Sequence, residues 1–310
     1  MKWVARSEQN LVAFLQGQLG NYSGKFVRKL LEANLCRING KVERFGSKSI
    51  SNGDAIELSS NWESLLKPKV TLPETLYEDD SLKIVSKPIN WVCSDSQVEK
   101  TFGPHHYLVH RLDRDTTGLL ILAKSISARD GLMELFKKRE ILKQYVTLVD
   151  GVPKEKEGMR QSYFMKKGSF QGQTTWGSGS KGQLAITRWQ TMAAGQKASL
   201  ILCTPQTGRT HQIRVHMMEM GHPILVDRQY SKNFRCSLFV SRPLLHAYRL
   251  KFSFFGKEID VEAPLLVDIC EAIRSVGIDL AHVRKFLSKD KHDNGWENSH
   301  DNKNREELKE

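Results

Sequence analysis

The residue types best equipped for chemistry sit together in His110-Arg111-Leu112-Asp113-Arg114-Asp115-Thr116-Thr117-Gly118. Asp113 stands between two guanidinium-bearing residues, and positive charge on both sides suits the carboxylate form that a nucleophile or a base requires. The polar run passes straight into Leu119-Leu120-Ile121-Leu122-Ala123-Lys124, an apolar stretch of strand length. The segment therefore reads as a loop feeding a strand buried on both faces, with charge crowded at the edge of a core. Two other readings stay open on residue types alone. Asp115 beside Asp113 evokes the paired carboxylates of a glycosidase, and a single loop Asp ordinarily satisfies nearby backbone donors.

The elements that must position this loop follow from periodicity. Leu11, Phe14, Leu15 and Leu19 form a helical pattern ended by Gly20-Asn21, and Ser23 caps a second helix with Phe26, Val27, Leu30 and Leu31 on its apolar stripe. Lys25, Arg28 and Lys29 fall mostly off that stripe. Asn39-Gly40 between β-prone pieces signals a hairpin. Residues 61–73 hold two prolines without a period and read as a linker. Strand, acidic turn and strand are expected over Leu76–Pro88, then the focal segment, a helix through Ala128, Leu132, Leu135 and Phe136, and a strand over Gln144–Val149. Residues 153–183, rich in Lys, Gly, Ser and Gln, read as exposed hairpins or a mobile loop. Strands are expected at Leu184–Trp189 and Ala198–Thr204. Thr210 is placed to cap a helix with Ile213, Met217 and Met220 on one face and Arg214 beside it. Alternation marks strands at Leu244–Phe255 and Glu258–Val261, and one helix is expected over Ile269–Phe286. From Ser288 to residue 310 the composition suits a disordered charged tail.

The chain has 310 residues, with 47 Lys and Arg against 35 Asp and Glu, a net charge of +12. That length suits two folded units, and the basic excess, which lies in residues 1–270 rather than at the end, suits a polyanionic partner. Five cysteines, odd in number and without a C-x-x-C pair, suit reduced thiols in a cytoplasmic protein. No apolar run reaches membrane-spanning length, so no membrane association is expected. His105, His106, His110, His211 and His216 show neither H-E-x-x-H nor Cys/His ligand spacing, so no metal is expected.

The focal string HRLDRDTTGLLILAK resembles the signature of the RluA-type pseudouridine synthases. KQYV at Lys143–Val146, TGRTHQIRVHM with MGHPI at Thr207–Ile224, LYEDDSLKIVSKP at Leu76–Pro88 and RPLLHAYRLKF at Arg242–Phe252 resemble further motifs of that family in the same order. Residues 1–60 resemble the S4-like RNA-binding domain, through the second helix, LLEANLCRINGKV and NGDAIEL. The resemblance implies an α+β enzyme: a pseudouridine synthase catalytic fold on a large mixed, mostly antiparallel sheet over residues 74–287, and a small N-terminal αL-type (S4-like) domain. It implies isomerisation of uridine in structured RNA, in large-subunit ribosomal RNA or, alternatively, transfer RNA, by a monomer without a cofactor. Asp113 is then the nucleophile, Arg214 its partner, and Tyr145 the residue stacked on uracil. Arg111 fills the space of an extruded base, Arg209 meets phosphate, and Lys25, Arg28 and Lys29 meet RNA. PILVDRQY departs from the family, with Leu225-Val226 where a glycine commonly precedes the Asp, so the turn there is expected to differ. Two rival readings are a silent RNA-binding or ribosome-assembly factor and a nucleosidic-bond hydrolase.

Overall fold

The computed structural model describes residues 1–290 other than 21, 61, 64–70, 171–172, 232, 237, 239 and 241. The N-terminal unit runs β1 (Lys2–Val4), β2 (Gln9–Asn10), α1 (Leu11–Leu19), α2 (Gly24–Glu32), β3 (Cys36–Ile38), β4 (Lys41–Glu43), β5 (Ser49–Ile50) and β6 (Ala55–Leu58). Its helices start where side chains can satisfy the first free amides. Asn10 Oδ1 accepts from the amide of Val12 at 2.9 Å, and Ser23 Oγ accepts from that of Phe26 at 3.2 Å. Leu11, Leu15, Val27, Leu30 and Leu31 are fully buried against Ile50 and Ile56. The sheet order is β1-β6-β3-β4, and the β3–β4 turn uses Asn39 and Gly40, both at positive φ, as a tight hairpin requires. Trp62, expected in the linker, is buried in this core, edge-on to Tyr22 and Phe26. Most of the expected linker lies outside the described residues.

The second unit runs β7 (Glu74–Glu78), β8 (Leu82–Lys87), α3 (Asp95–Phe102), β9 (Tyr107–Leu108), β10 (Thr117–Ala123), α4 (Ile126–Lys138), β11 (Leu142–Asp150), β12 (Glu157–Phe170), β13 (Gln173–Ser178), β14 (Gln183–Ala194), β15 (Ala198–Pro205), α5 (Gln212–Glu219), β16 (Leu245–Phe254), β17 (Lys257–Glu262), α6 (Val267–Ser275) and α7 (Leu280–Asp290). The strands form an 11-stranded sheet ordered β13-β12-β14-β15-β11-β16-β10-β8-β7, with β17 paired to β16 and β9 to β10. Among the described residues of this sheet, every strand pairing is antiparallel except β10 with β16. All seven residues of β10 are buried, as its unbroken apolar run requires. Within the stretch 153–183, β12 and β13 pair antiparallel, and the Phe170 ring at the end of β12 lies 5.6 Å from the Arg44 guanidinium of the first unit.

Two local expectations fail for identifiable reasons. Thr210 does not cap α5. The cap position is His211, in the left-handed conformation and without a side-chain cap bond. The turn is held instead by Gln212, which accepts from the Thr207 hydroxyl at 2.6 Å and the Arg209 amide at 3.0 Å while donating to Ile186 O and Thr187 Oγ1. The single helix over Ile269–Phe286 is two, α6 and α7, because Gly277 at φ 79° ends the first. Helix α7 runs to Asp290, into the start of the expected tail, and the remainder lies outside the described residues.

Candidate active site

A single row across the sheet builds the site floor. Gly118 pairs with Ala247, Ala247 with Tyr145, and Tyr145 with Cys203. A register shift between Gln144 and Tyr145 re-aims the tyrosine at this row. Gly118 is required here, since it sits at φ 102° and a Cβ would lie 2.2 Å from the backbone oxygen of Ala247. With no side chain at Gly118, β10 and β16 approach closely, and the loop carrying Asp113 ends beside Tyr145.

That loop is pinned from below. The Lys87 ammonium, fully buried at the end of β8, donates to the carbonyls of Pro88, Trp91 and Arg114 at 3.1, 2.9 and 3.1 Å. Burial pulls Lys87 down to about 8, partly opposed by Cys93, Asp115 and Asp113. The Asn90 amide donates to the same Arg114 carbonyl at 3.1 Å, and the Leu112 amide donates to Cys93 Sγ at 3.5 Å. Arg242, itself paired with Asp268 at 2.8 Å, donates to Asp115 O at 3.2 Å. His110 accepts from the Ile121 amide at 2.9 Å, and burial pushes it down to about 3, so it stays neutral and keeps that role. The Asp115 carboxylate pairs with Arg114 at 3.3 Å.

Above the loop, α5 brings Arg214 across 101 residues of chain to Asp113, Nη1 to Oδ2 at 3.3 Å. Arg214 is gripped on its other edge by Asp227, Nε to Oδ2 at 2.7 Å and Nη2 to Oδ1 at 2.9 Å, with Gln229 Oε1 at 2.7 Å from Nη2. This is the bidentate geometry that fixes a guanidinium plane. Burial pulls Arg214 down, but the bonds and charge of Asp227, with Asp113 behind, outweigh it and the net displacement is upward. The same guanidinium lies 5.1 Å from the Tyr230 ring. Tyr145 is pushed up by burial first and then by Asp113 and Cys93, which holds its hydroxyl protonated.

Asp227 depends on an unusual turn. Val226, just before it, adopts φ 58°, a conformation that suits glycine and is strained for a β-branched residue. The turn expected to differ thus keeps a glycine-like backbone. The strain of about 1–2 kcal/mol is offset by burying the valine side chain, 6% exposed, worth about 1.5–3 kcal/mol.

The sequence profile of the family described as RNA pseudouridylate synthase matches residues 90–219, which span this loop, β11 and α5. A ribosomal large subunit pseudouridine synthase C of Buchnera aphidicola (subsp. Schizaphis graminum) is 30% identical over 293 residues, covering 83% of this chain and 90% of its own. The chain belongs to the RNA pseudouridylate synthase family. A ribosomal large subunit pseudouridine synthase D of Haemophilus ducreyi is 28% identical over 297 residues, with 86% and 90% coverage. In fold, the synthase is similar to Human RNA Pseudouridylate Synthase Domain Containing 4, with a TM-score of 0.57 at 21% identity over 70% of this chain and 96% of that one.

The structure of this synthase brings three expected site residues together, Asp113, Tyr145 and Arg214. Arg111 is exposed on the same loop. Arg209 does not face Asp113; its Nε donates to Leu184 O at 3.0 Å. Lys25, Arg28 and Lys29 are exposed on α2 of the other unit. Sequence reading missed Asp227, Gln229, Tyr230 and Lys87. Two of them left a signal: an Asp ending the apolar run Ile224-Leu225-Val226, and a Lys ending the apolar β8, each a charge that burial obliges to find a partner. Among the described residues, no group of three His, Cys, Asp or Glu is arranged to hold a metal ion, and no helix is long and apolar enough to cross a membrane.

Proposed function

We propose that this RNA pseudouridine synthase acts on uridines of structured RNA, with large-subunit ribosomal RNA as its substrate, and that Asp113 is its nucleophile. The observation that carries the reading is Asp113 held at 3.3 Å by a guanidinium that Asp227 fixes in place, on a loop pinned by Lys87 and Arg242 beside Tyr145. Pseudouridine formation breaks the bond between C1′ and N1, turns the base, joins C1′ to C5, and moves the C5 proton away, with no net redox change and no water consumed. An oriented carboxylate can attack the nucleotide or take up a proton as the first bond breaks. Arg214 holds it charged and aimed. Tyr145, kept protonated, offers a flat ring on which the uracil stacks. A base inside a helix is out of reach and must be extruded, and Arg111, exposed beside the nucleophile, fills the gap. The exposed Lys25, Arg28 and Lys29 meet phosphate, a contact that positions RNA without reading sequence.

The names of the relatives support ribosomal RNA over transfer RNA. The test uses purified protein, wild type and Asp113→Asn, with ribosomal and transfer RNA from cells lacking the gene, mapped for pseudouridine at nucleotide resolution. Wild type modifies a few sites in large-subunit RNA and the variant none. Wild-type turnover by Asp113→Asn would overturn the nucleophile assignment, modification of transfer RNA alone would overturn the substrate, and release of free uracil would mark a hydrolase.

A further inference from the structure

Asp113 has a second neighbour that the sequence motifs leave without a role. His211 Nε2 lies 3.8 Å from Asp113 Oδ2, the same oxygen that Arg214 contacts. The other ring nitrogen, Nδ1, is 2.7 Å from the Tyr230 hydroxyl, and that hydroxyl accepts from the Trp176 amide at 3.2 Å. His211 is brought there by a left-handed backbone, φ 58° and ψ 20°, in a residue that caps nothing with its side chain. A non-glycine residue pays for that conformation, and the contacts to Asp113 and Tyr230 are what the conformation delivers.

Burial pushes Tyr230 up to about 12, so the phenol keeps its proton. Burial also pushes His211 down, against the pull of Asp113, so the imidazole is neutral at neutral pH and carries one N–H. Tyr230 accepts the Trp176 amide proton and has its own proton to place, and Nδ1 is the acceptor at short range. The imidazole proton must then sit on Nε2, facing the carboxylate. The opposite tautomer would aim a lone pair at a negative charge.

We propose that His211, held in its Nε2–H tautomer by Tyr230, is a positioning residue for Asp113: it donates to Oδ2 together with Arg214 and so presents Oδ1 to the nucleotide. The inference rests on the reading of Asp113 as the reacting carboxylate. Arg214 is locked in plane by Asp227 and reaches Asp113 with only one nitrogen at 3.3 Å, so a single donor leaves the carboxylate free to rotate. A second donor from another direction stops that rotation. The 3.8 Å gap closes when substrate excludes water, as contacts in ligand-free sites commonly do.

The test is single-turnover pseudouridine formation by the full chain on large-subunit ribosomal RNA from cells lacking the gene, with RNA affinity and thermal midpoint measured on the same samples. His211→Leu is expected to slow the chemical step by about 10–100-fold with affinity unchanged, the signature of a group acting on the reacting state. His211→Gln, which returns an N–H near the Nε2 position, is expected to recover the rate to within about threefold, a rescue that a merely structural role would not give. Tyr230→Phe is expected to slow the step about tenfold, and the double variant His211→Leu/Tyr230→Phe to be no slower than His211→Leu, because the two act as one unit. A full rate in His211→Leu, no rescue by Gln, or multiplied losses in the double variant would each overturn the inference. If His211→Leu does not fold, Tyr230→Phe decides, and a wild-type rate there overturns it. Asp113→Ala separates the two levels: activity in that variant defeats the reading of the site, whereas an inactive Asp113→Ala beside a fully active His211→Leu defeats only the role of His211.

Discussion

Asp227 holds the arginine of the candidate active site in its plane, and Asp227→Asn tests this with a change of few atoms. Its carboxylate is 1% exposed and takes two of the Arg214 donors, at 2.7 and 2.9 Å. The asparagine side chain keeps one acceptor, turns the other into a donor facing a guanidinium, and removes the charge. Removing one partner of a buried ion pair costs about 3–5 kcal/mol. Gln229 and Asp113 still contact Arg214, so about 3 kcal/mol, the lower end of that range, applies. In a unit of this size that lowers the thermal midpoint by roughly 6 °C. If half of that energy had served to hold Arg214 against Asp113, the catalytic rate falls by about tenfold, since about 1.4 kcal/mol is a factor of ten. RNA affinity stays constant, because Asp227 is buried beneath the site rather than on its surface. Calorimetry, a filter-binding titration and a single-turnover assay read the three quantities separately. An Asp227→Asn protein with a wild-type rate and a midpoint within about 1 °C of wild type would refute the argument that Asp227 anchors the arginine.

Gly118→Ala places a methyl 2.2 Å from Ala247 O at a φ of 102°, and since backbone cannot yield there, the β10–β16 pairing must open; destabilisation of about 3 kcal/mol or more is expected in urea titrations, with activity lost in parallel. Acid sensitivity follows from His216 and His246, both fully buried and pushed down by burial to about 4. The unfolded chain takes up both protons near pH 6.5 whereas the folded chain resists, so stability is full above about pH 6.5 and falls as pH drops toward 4, by up to about 3 kcal/mol per pH unit. Urea midpoints measured from pH 7 to 5 check the slope, and a double His216→Asn/His246→Asn protein should show a flatter one. Replacing Lys25, Arg28 and Lys29 together by Ala should lower the slope of log affinity against log salt by about 2–3 if all three meet phosphate. An unchanged slope would mean that α2 faces away from bound RNA.

The sequence alone determined whatever depends on near neighbours. The seven-residue buried strand β10 followed from an unbroken apolar run, α1 and α2 from their stripes, α2 also from the cap Ser23, and the β3–β4 turn from Asn39-Gly40. The loop carrying Asp113 was legible as a loop feeding a buried strand because its polar and apolar runs are contiguous. Local signals failed where a distant group intervened. Thr210 lost the cap position because Gln212 reaches across to β14 and holds the turn itself. What tertiary structure decided is which residues share the site. Arg214 meets Asp113 across 101 residues, and Asp227 and Tyr230 join them only because the row Gly118, Ala247, Tyr145 and Cys203 sets four strands in register beneath α5. Hydrophobic period and turn residues act over a few positions, whereas the pairing of buried charges is settled by strand order and register. Burying a carboxylate or an ammonium without a partner costs too much to persist. Burial therefore required Asp227 and Lys87 to be paired, and only the folded sheet decided that the partners would be Arg214 for the first and the carbonyls of Pro88, Trp91 and Arg114 for the second.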